Sequence, residues 1–104
     1  MSGPETAVPL PAENEWSLYL VRTRSGSLYC GISKDVRRRF QEHCGGGVRA
    51  ARALRGRGPL TLVYQQKVGD QGTALRLERR VKKLPKVQKE KLVRGEAELP
   101  LPGL

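Results

Sequence analysis

Tyr19 and Tyr29 stand ten positions apart in WSLYLVRTRSGSLYCG, residues 16–31. Phenols so placed are either half-buried strand aromatics or a pair on one surface, aimed at a common target. Arg39 and His43 follow, four residues apart and so on one side of a helix. A guanidinium there could hold a phosphate through two hydrogen bonds, which an ammonium does less well. Glu78 is the one acid between Gln71 and Lys89, set among Arg76, Arg79, Arg80, Lys82 and Lys83. Such a carboxylate either neutralises its neighbours, Lys82 at i+4 first among them, or binds a hard divalent cation. Magnesium commonly takes one or two carboxylates, with waters and substrate phosphates completing its shell.

These residues need elements to position them. Both flanks of Ser25-Gly26 are rich in aromatic, β-branched and leucine residues, which predicts a β-hairpin. A two-residue loop would put the tyrosines on opposite faces. A three-residue loop, Arg24-Ser25-Gly26, with glycine at positive φ, pairs Val21 with Tyr29 and Tyr19 with Gly31. One face then carries Trp16, Leu18, Leu20, Leu28, Cys30 and Ile32. The other carries Ser17, Tyr19, Val21, Thr23, Ser27, Tyr29, Gly31 and Ser33. Only this register sorts the side chains, so both tyrosines are expected on the more polar face.

Asp35 is a plausible N-cap for a helix in which Val36 and Phe40 stack, ended by Gly45-Gly46-Gly47. VRAARALRG reads as a second short helix stopped at Gly56. GPLTLVYQQKV reads as a third strand, with Leu60, Leu62 and Tyr64 alternating against Thr61 and Val63. Asp70 caps the strongest helix, whose Leu77, Val81 and Leu84 face a core. A last short helix follows Pro85, with Val87 and Leu92 as its apolar contacts. The expected class is α+β: a small three-stranded, mostly antiparallel sheet flanked by helices, in the order ββ-α-α-β-α-α. Residues 1–15 read as a disordered tail, 16–95 as the domain and 96–104 as a second loose tail.

Composition bounds the partners. The chain has 104 residues and a net charge of +10. All twenty Lys and Arg residues lie between Arg22 and Arg94, against five acids in the same stretch. So basic a body argues for a polyanion, nucleic acid above all, since solubilising surfaces mix both signs. No apolar run is long enough to cross a bilayer. The N-terminus lacks the basic start and apolar middle of a secretory signal, so a cytoplasmic location is expected. Cys30 and Cys44 make no disulfide framework, and with His43 they supply too few ligands for zinc.

Taken in order, these residues resemble the GIY-YIG nuclease family. The two tripeptides that name the family stand here as Ser17-Leu18-Tyr19 and Tyr29-Cys30-Gly31. The family's arginine matches Arg39 in GISKDVRRRF, its next-turn histidine or tyrosine matches His43, and its metal-binding glutamate matches Glu78 in ALRLERRVK. The resemblance runs from Trp16 to Gly95 and is strongest to the small stand-alone bacterial members of the YhbQ type. Many family nucleases carry an asparagine beyond the glutamate. Here the only asparagine is Asn14, so that support is either missing or supplied by Lys82, Gln88 or Lys89.

The resemblance implies an endonuclease that hydrolyses phosphodiesters, in DNA rather than RNA, with nicked, branched or single-stranded substrates. Its catalytic set would be Tyr19, Tyr29, Arg39, His43 and Glu78, with one Mg²⁺ or Mn²⁺ on Glu78. Tyr19 would activate or position water, its phenolate favoured by a cationic pocket. His43 would relay a proton or bind phosphate. Lys34, Arg37, Arg38, Lys82 and Lys83 would hold the flanking backbone without reading sequence. No membrane partner is expected; the sequence leaves the oligomeric state open, with a monomer as the default. The alternative is a non-catalytic nucleic-acid-binding module on the same fold.

Overall fold

The computed structural model of the chain describes residues 15–100; the rest of the expected N-terminal tail, and residues 101–104, lie outside the described residues. The elements run β1 (Trp16–Arg22), β2 (Leu28–Ser33), α1 (Val36–Gly45), β3 (Thr61–Gly69), α2 (Gln71–Lys82) and α3 (Lys86–Val93). The strands form one antiparallel sheet in the order β2-β1-β3, so β1 is central and β2 is an edge. The fold is the expected α+β arrangement.

The hairpin closes through the three-residue loop. The Thr23 amide donates to the Ser27 carbonyl at 2.9 Å, and Gly26 sits at φ 94°, where a side chain would be strained. Tyr19 faces Gly31 and Val21 faces Tyr29 across the ladder. Leu18, Leu20 and Cys30 pack on one face against Leu77, Val81 and Leu92 from α2 and α3. The opposite face is not the polar surface its composition suggests. Tyr19 and Val21 are buried there with Val36 of α1 and with Leu54 from the segment after it. Residues 18–21 are therefore all at or below 1% exposure, as a central strand covered on both sides requires.

Capping sets the helix starts. Asp35 accepts from the Arg38 amide at 3.1 Å and Asp70 from the Thr73 amide at 2.8 Å. Gly46, at φ 70°, ends α1. VRAARALRG forms only a 3₁₀ turn, Arg52–Leu54. Glycines bound it on both sides, and so short a segment cannot recover the cost of nucleating an α-helix.

In β3 a bulge opposite Leu20 and Val21 breaks the expected alternation. One extra residue sends Leu62 to the Tyr19 face and Tyr64 to the other, rather than both to one. On α3, Val87 is 58% exposed while Leu92 is buried. Five residues are 140° out of phase on a helix, so both cannot face one core. Beyond α3, Gly95 turns the chain back and Leu99 packs on the α2–α3 core at 7% exposure. That residue falls in the segment read as a loose tail.

An ion network joins the hairpin to α3. Arg22 donates two 2.7 Å bonds to Glu90, and Lys86 Nζ reaches Glu90 at 2.8 Å and the Gly26 carbonyl at 2.7 Å. Hydrogen bonds from Arg22 and Lys86 hold the Glu90 carboxyl down at about 2. No helix among the described residues is long and apolar enough to cross a membrane.

Candidate active site

Tyr19 reaches its place because residue 31 has no side chain. A Cβ on Gly31 would lie 2.5 Å from the Tyr19 hydroxyl and 2.6 Å from Cζ, so the phenol ring occupies the space above the paired glycine. Tyr19, Tyr29 and His43 then form a ring cluster, with centroids 6.4 Å, 6.0 Å and 5.6 Å apart for Tyr19–Tyr29, Tyr19–His43 and Tyr29–His43. The tyrosines share a face, as the hairpin register predicts. Tyr19 is 1% exposed, whereas Tyr29 is half-buried.

Hydrogen bonding fixes the histidine. The Ala51 amide donates to His43 Nδ1 at 3.1 Å, so Nδ1 carries the lone pair. Burial, with the Arg39 charge beside it, pushes His43 below the ordinary histidine range, so the ring is neutral at pH 7. Its proton is therefore on Nε2, which donates to the Tyr19 hydroxyl at 2.8 Å. His43 is 1% exposed, like Tyr19, and in this tautomer it cannot accept the phenol proton. The expected relay through His43 is thus replaced by a donated bond.

Charge on Tyr19 is also unlike the expectation. Burial drives its ionisation well above the ordinary phenol range, and Arg39 offsets only part of that rise. Tyr29 is shifted up as well, by burial first, against the pull of Lys82 and Arg39. Both are phenols at neutral pH.

Arg39 is held from two sides. It donates to Glu42 at 2.9 Å and to the Arg49 carbonyl. With Lys34, Arg38 and Trp16 it lines a cleft of about 470 Å³. The Lys34 ammonium lies 5.9 Å from the Trp16 ring centre. Arg37 is exposed on α1, outside that lining.

Glu78 approaches from the other side. Helix α2 packs on the sheet through Leu77 and Val81, against Leu18 and Leu20 of β1 and Cys30 of β2, and the Glu78 charge is felt at Tyr29 and Cys30, though not among the influences on Tyr19. Tyr29 is thus the residue that senses both Arg39 and Glu78. The Glu78 side chain is 17% exposed and pairs with Lys82 at 3.3 Å. Lys83 caps the end of α2, exposed.

No group of three or more His, Cys, Asp or Glu side chains gathers among the described residues. A single half-buried carboxylate suits a hard cation that brings its own waters and shares phosphate oxygens. It does not suit zinc, which wants a closed set of nitrogen and sulfur ligands. Its partner Lys82 is the more exposed of the two, at 53%.

Three features escaped the sequence. Glu42 anchors Arg39, and its i,i+3 spacing was a readable signal. Gly31 stands in the second tripeptide, but its physical reason is the Tyr19 ring. Arg49 and Ala51 act through backbone atoms, which carry no residue signature.

Two phenols and a fixed histidine thus cluster beside Arg39 on one side of the sheet, and Glu78 on α2 acts on Tyr29. The family model of the GIY-YIG catalytic domain matches residues 15–91. The chain belongs to the GIY-YIG family, a family of nucleases. It is 56% identical over 82 residues to a UPF0213 protein of Yersinia pestis, covering 79% of this chain and 84% of that one. A UPF0213 protein of Aeromonas salmonicida is 55% identical over 83 residues, 80% of this chain, which spans 60% of that relative's length. The solution structure of the UPF0213 protein from Bacillus halodurans aligns with a TM-score of 0.50 at 35% identity, over 79% of this chain and 85% of that one.

Proposed function

We propose that this chain is a divalent-metal-dependent endonuclease that hydrolyses phosphodiester bonds in nucleic acid, DNA in preference to RNA. The observation that carries the reading is Tyr29, which touches the Tyr19–His43 pair and feels both Arg39 and Glu78. That position between the two charges supports one site built from residues far apart in sequence.

Glu78 would hold the Mg²⁺ or Mn²⁺ ion, which when bound supplies charge neutralisation at the phosphate and the leaving oxygen. Arg39, already oriented by Glu42, holds the scissile phosphate as negative charge develops. Tyr19 acts as the base in its phenolate form. It takes a proton from water, the water oxygen bonds to phosphorus, and the bond from phosphorus to the leaving oxygen breaks. His43 is a positioning residue: its Nε2–H stays on the Tyr19 oxygen and stabilises the phenolate. Tyr29 orients the water or a phosphate oxygen. Lys34, Arg38 and Lys82 border the site and hold the flanking backbone, with Arg37 and Lys83 further out.

Lys82 on Glu78 favours a second reading, a binding module in which the carboxylate is neutralised within the protein. That reading predicts salt-sensitive binding with no cleavage under any metal. Incubating wild type and the Tyr19→Phe, Arg39→Ala and Glu78→Ala variants with labelled oligonucleotides decides between them. The nuclease reading expects metal-dependent cleavage by wild type, reduced ~10²-fold or more in each variant. Cleavage equal in all four proteins would place the chemistry elsewhere.

A further inference from the structure

Between α1 and β3 the chain crosses a stretch with no acid at all, from His43 to Gly69. Within it, Arg49, Arg52, Arg55 and Arg57 are exposed, while Ala50 and Leu54 between them are buried at 4% and 2%. The segment is not a free loop. Leu54 packs with Tyr19, Val21 and Val36. The Arg57 carbonyl accepts from the Arg24 amide at 3.0 Å, which ties the segment to the hairpin loop and adds a fifth exposed arginine. Its backbone also reaches both groups that flank Tyr19: the Ala51 amide donates to His43, and the Arg49 carbonyl accepts from Arg39.

We propose that this arginine segment is a second nucleic-acid contact, holding sugar-phosphate backbone beyond the scissile position. The inference rests on the nuclease reading and extends its substrate footprint to a strand long enough to span the cleft at Arg39 and the segment together. Arginine suits the task, because its planar fork takes two phosphate oxygens and its charge does not titrate. The anchoring suits it too. Cations on a mobile loop lose conformational freedom on binding, whereas these stand on a segment pinned by a core leucine and by backbone bonds. The same pins explain why the contact serves catalysis, since the backbone that presents the arginines also sets the rotamers of Arg39 and His43.

The test uses the full chain, with Arg52, Arg55 and Arg57 changed together to Gln in one variant and to Lys in another. Binding is measured against salt, on an oligodeoxynucleotide of about 20 nucleotides and on one of about 4, which fits a single contact site. On the long strand the Gln variant should show a slope of log affinity against log salt shallower by about 2–3, as three phosphate contacts require. The Lys variant should keep the wild-type slope, and on the short strand all three proteins should match. Arg52→Gln alone, at an exposed position, should give about a third of the change, whether or not the triple variant folds.

A Gln variant that keeps the wild-type slope on the long strand would overturn the inference, while wild-type binding would leave the nuclease reading standing. If wild type itself binds neither strand, the nuclease reading fails first. A Gln variant that loses affinity for poly-glutamate but not for the oligonucleotide would also overturn the inference, assigning the segment to an acidic protein.

Discussion

At the scale of single residues, the site turns on how one phenol is held. Tyr19 is buried, accepts from His43 Nε2–H and rests on Gly31. Its ionisation lies above the ordinary phenol range, so the phenolate fraction rises tenfold per pH unit through neutral and mildly alkaline pH. The cleavage rate should climb with a log slope of about one in that window and be nearly flat in Tyr19→Phe. The stability that the buried phenol contributes is complete below pH 10, its unshifted value, and lost as pH rises further, so the profile is read below that limit. Gly31→Ala should displace the ring, cost about 1–3 kcal/mol in a denaturant melt and lower cleavage with Tyr19 chemically intact. The tyrosines, Arg39, His43 and Glu78 were legible as residue types at telling spacings. The histidine tautomer was not, because Ala51 sets it through a backbone amide eight residues away.

At the scale of elements, the same segment both packs and positions. Leu54 and Leu92 are each 2% exposed, but on opposite sides of the sheet. Leu54→Ala and Leu92→Ala should each cost about 2–5 kcal/mol. Only Leu54→Ala should also depress cleavage under conditions where both variants remain folded, because it loosens the backbone that holds His43 and Arg39. The Arg22–Glu90–Lys86 network offers a separate check. Glu90 is shifted from 4.5 to about 2, so the stability it contributes is full above pH 4.5 and lost as pH falls toward 2. Wild type should melt above Glu90→Gln at neutral pH, and the gap should close across that acid window. The hairpin register was readable, since a one-residue slip would have scattered its apolar residues. The bulge in β3 was not, because Leu62, Val63 and Tyr64 satisfy either face. Nor was the cover over Tyr19, supplied by a glycine-bounded segment too short to declare itself a helix.

At the scale of the whole molecule, charge and topology work together. Twenty cations against five acids between Arg22 and Arg94 would favour encounter with a polyanion such as the proposed nucleic-acid substrate. Binding should therefore weaken steeply and linearly on a log scale with salt. The α+β class and the basic body were both visible in the sequence, because each is a sum over many residues and no single misreading alters it. The convergence of β1, β2, α1 and α2 on one site is implied by family resemblance and is our proposal, and patterning alone could not give it, since loop paths decide which side of the sheet each helix covers. That convergence is tested most directly by single-turnover cleavage with Arg39→Ala, Glu78→Ala and the double variant. If the two residues serve one reaction centre, each single loss should be ~10²-fold or more, and the double variant should be scarcely worse than the poorer single. Single variants that cleave like wild type, or losses that multiply as at independent sites, would contradict a shared centre.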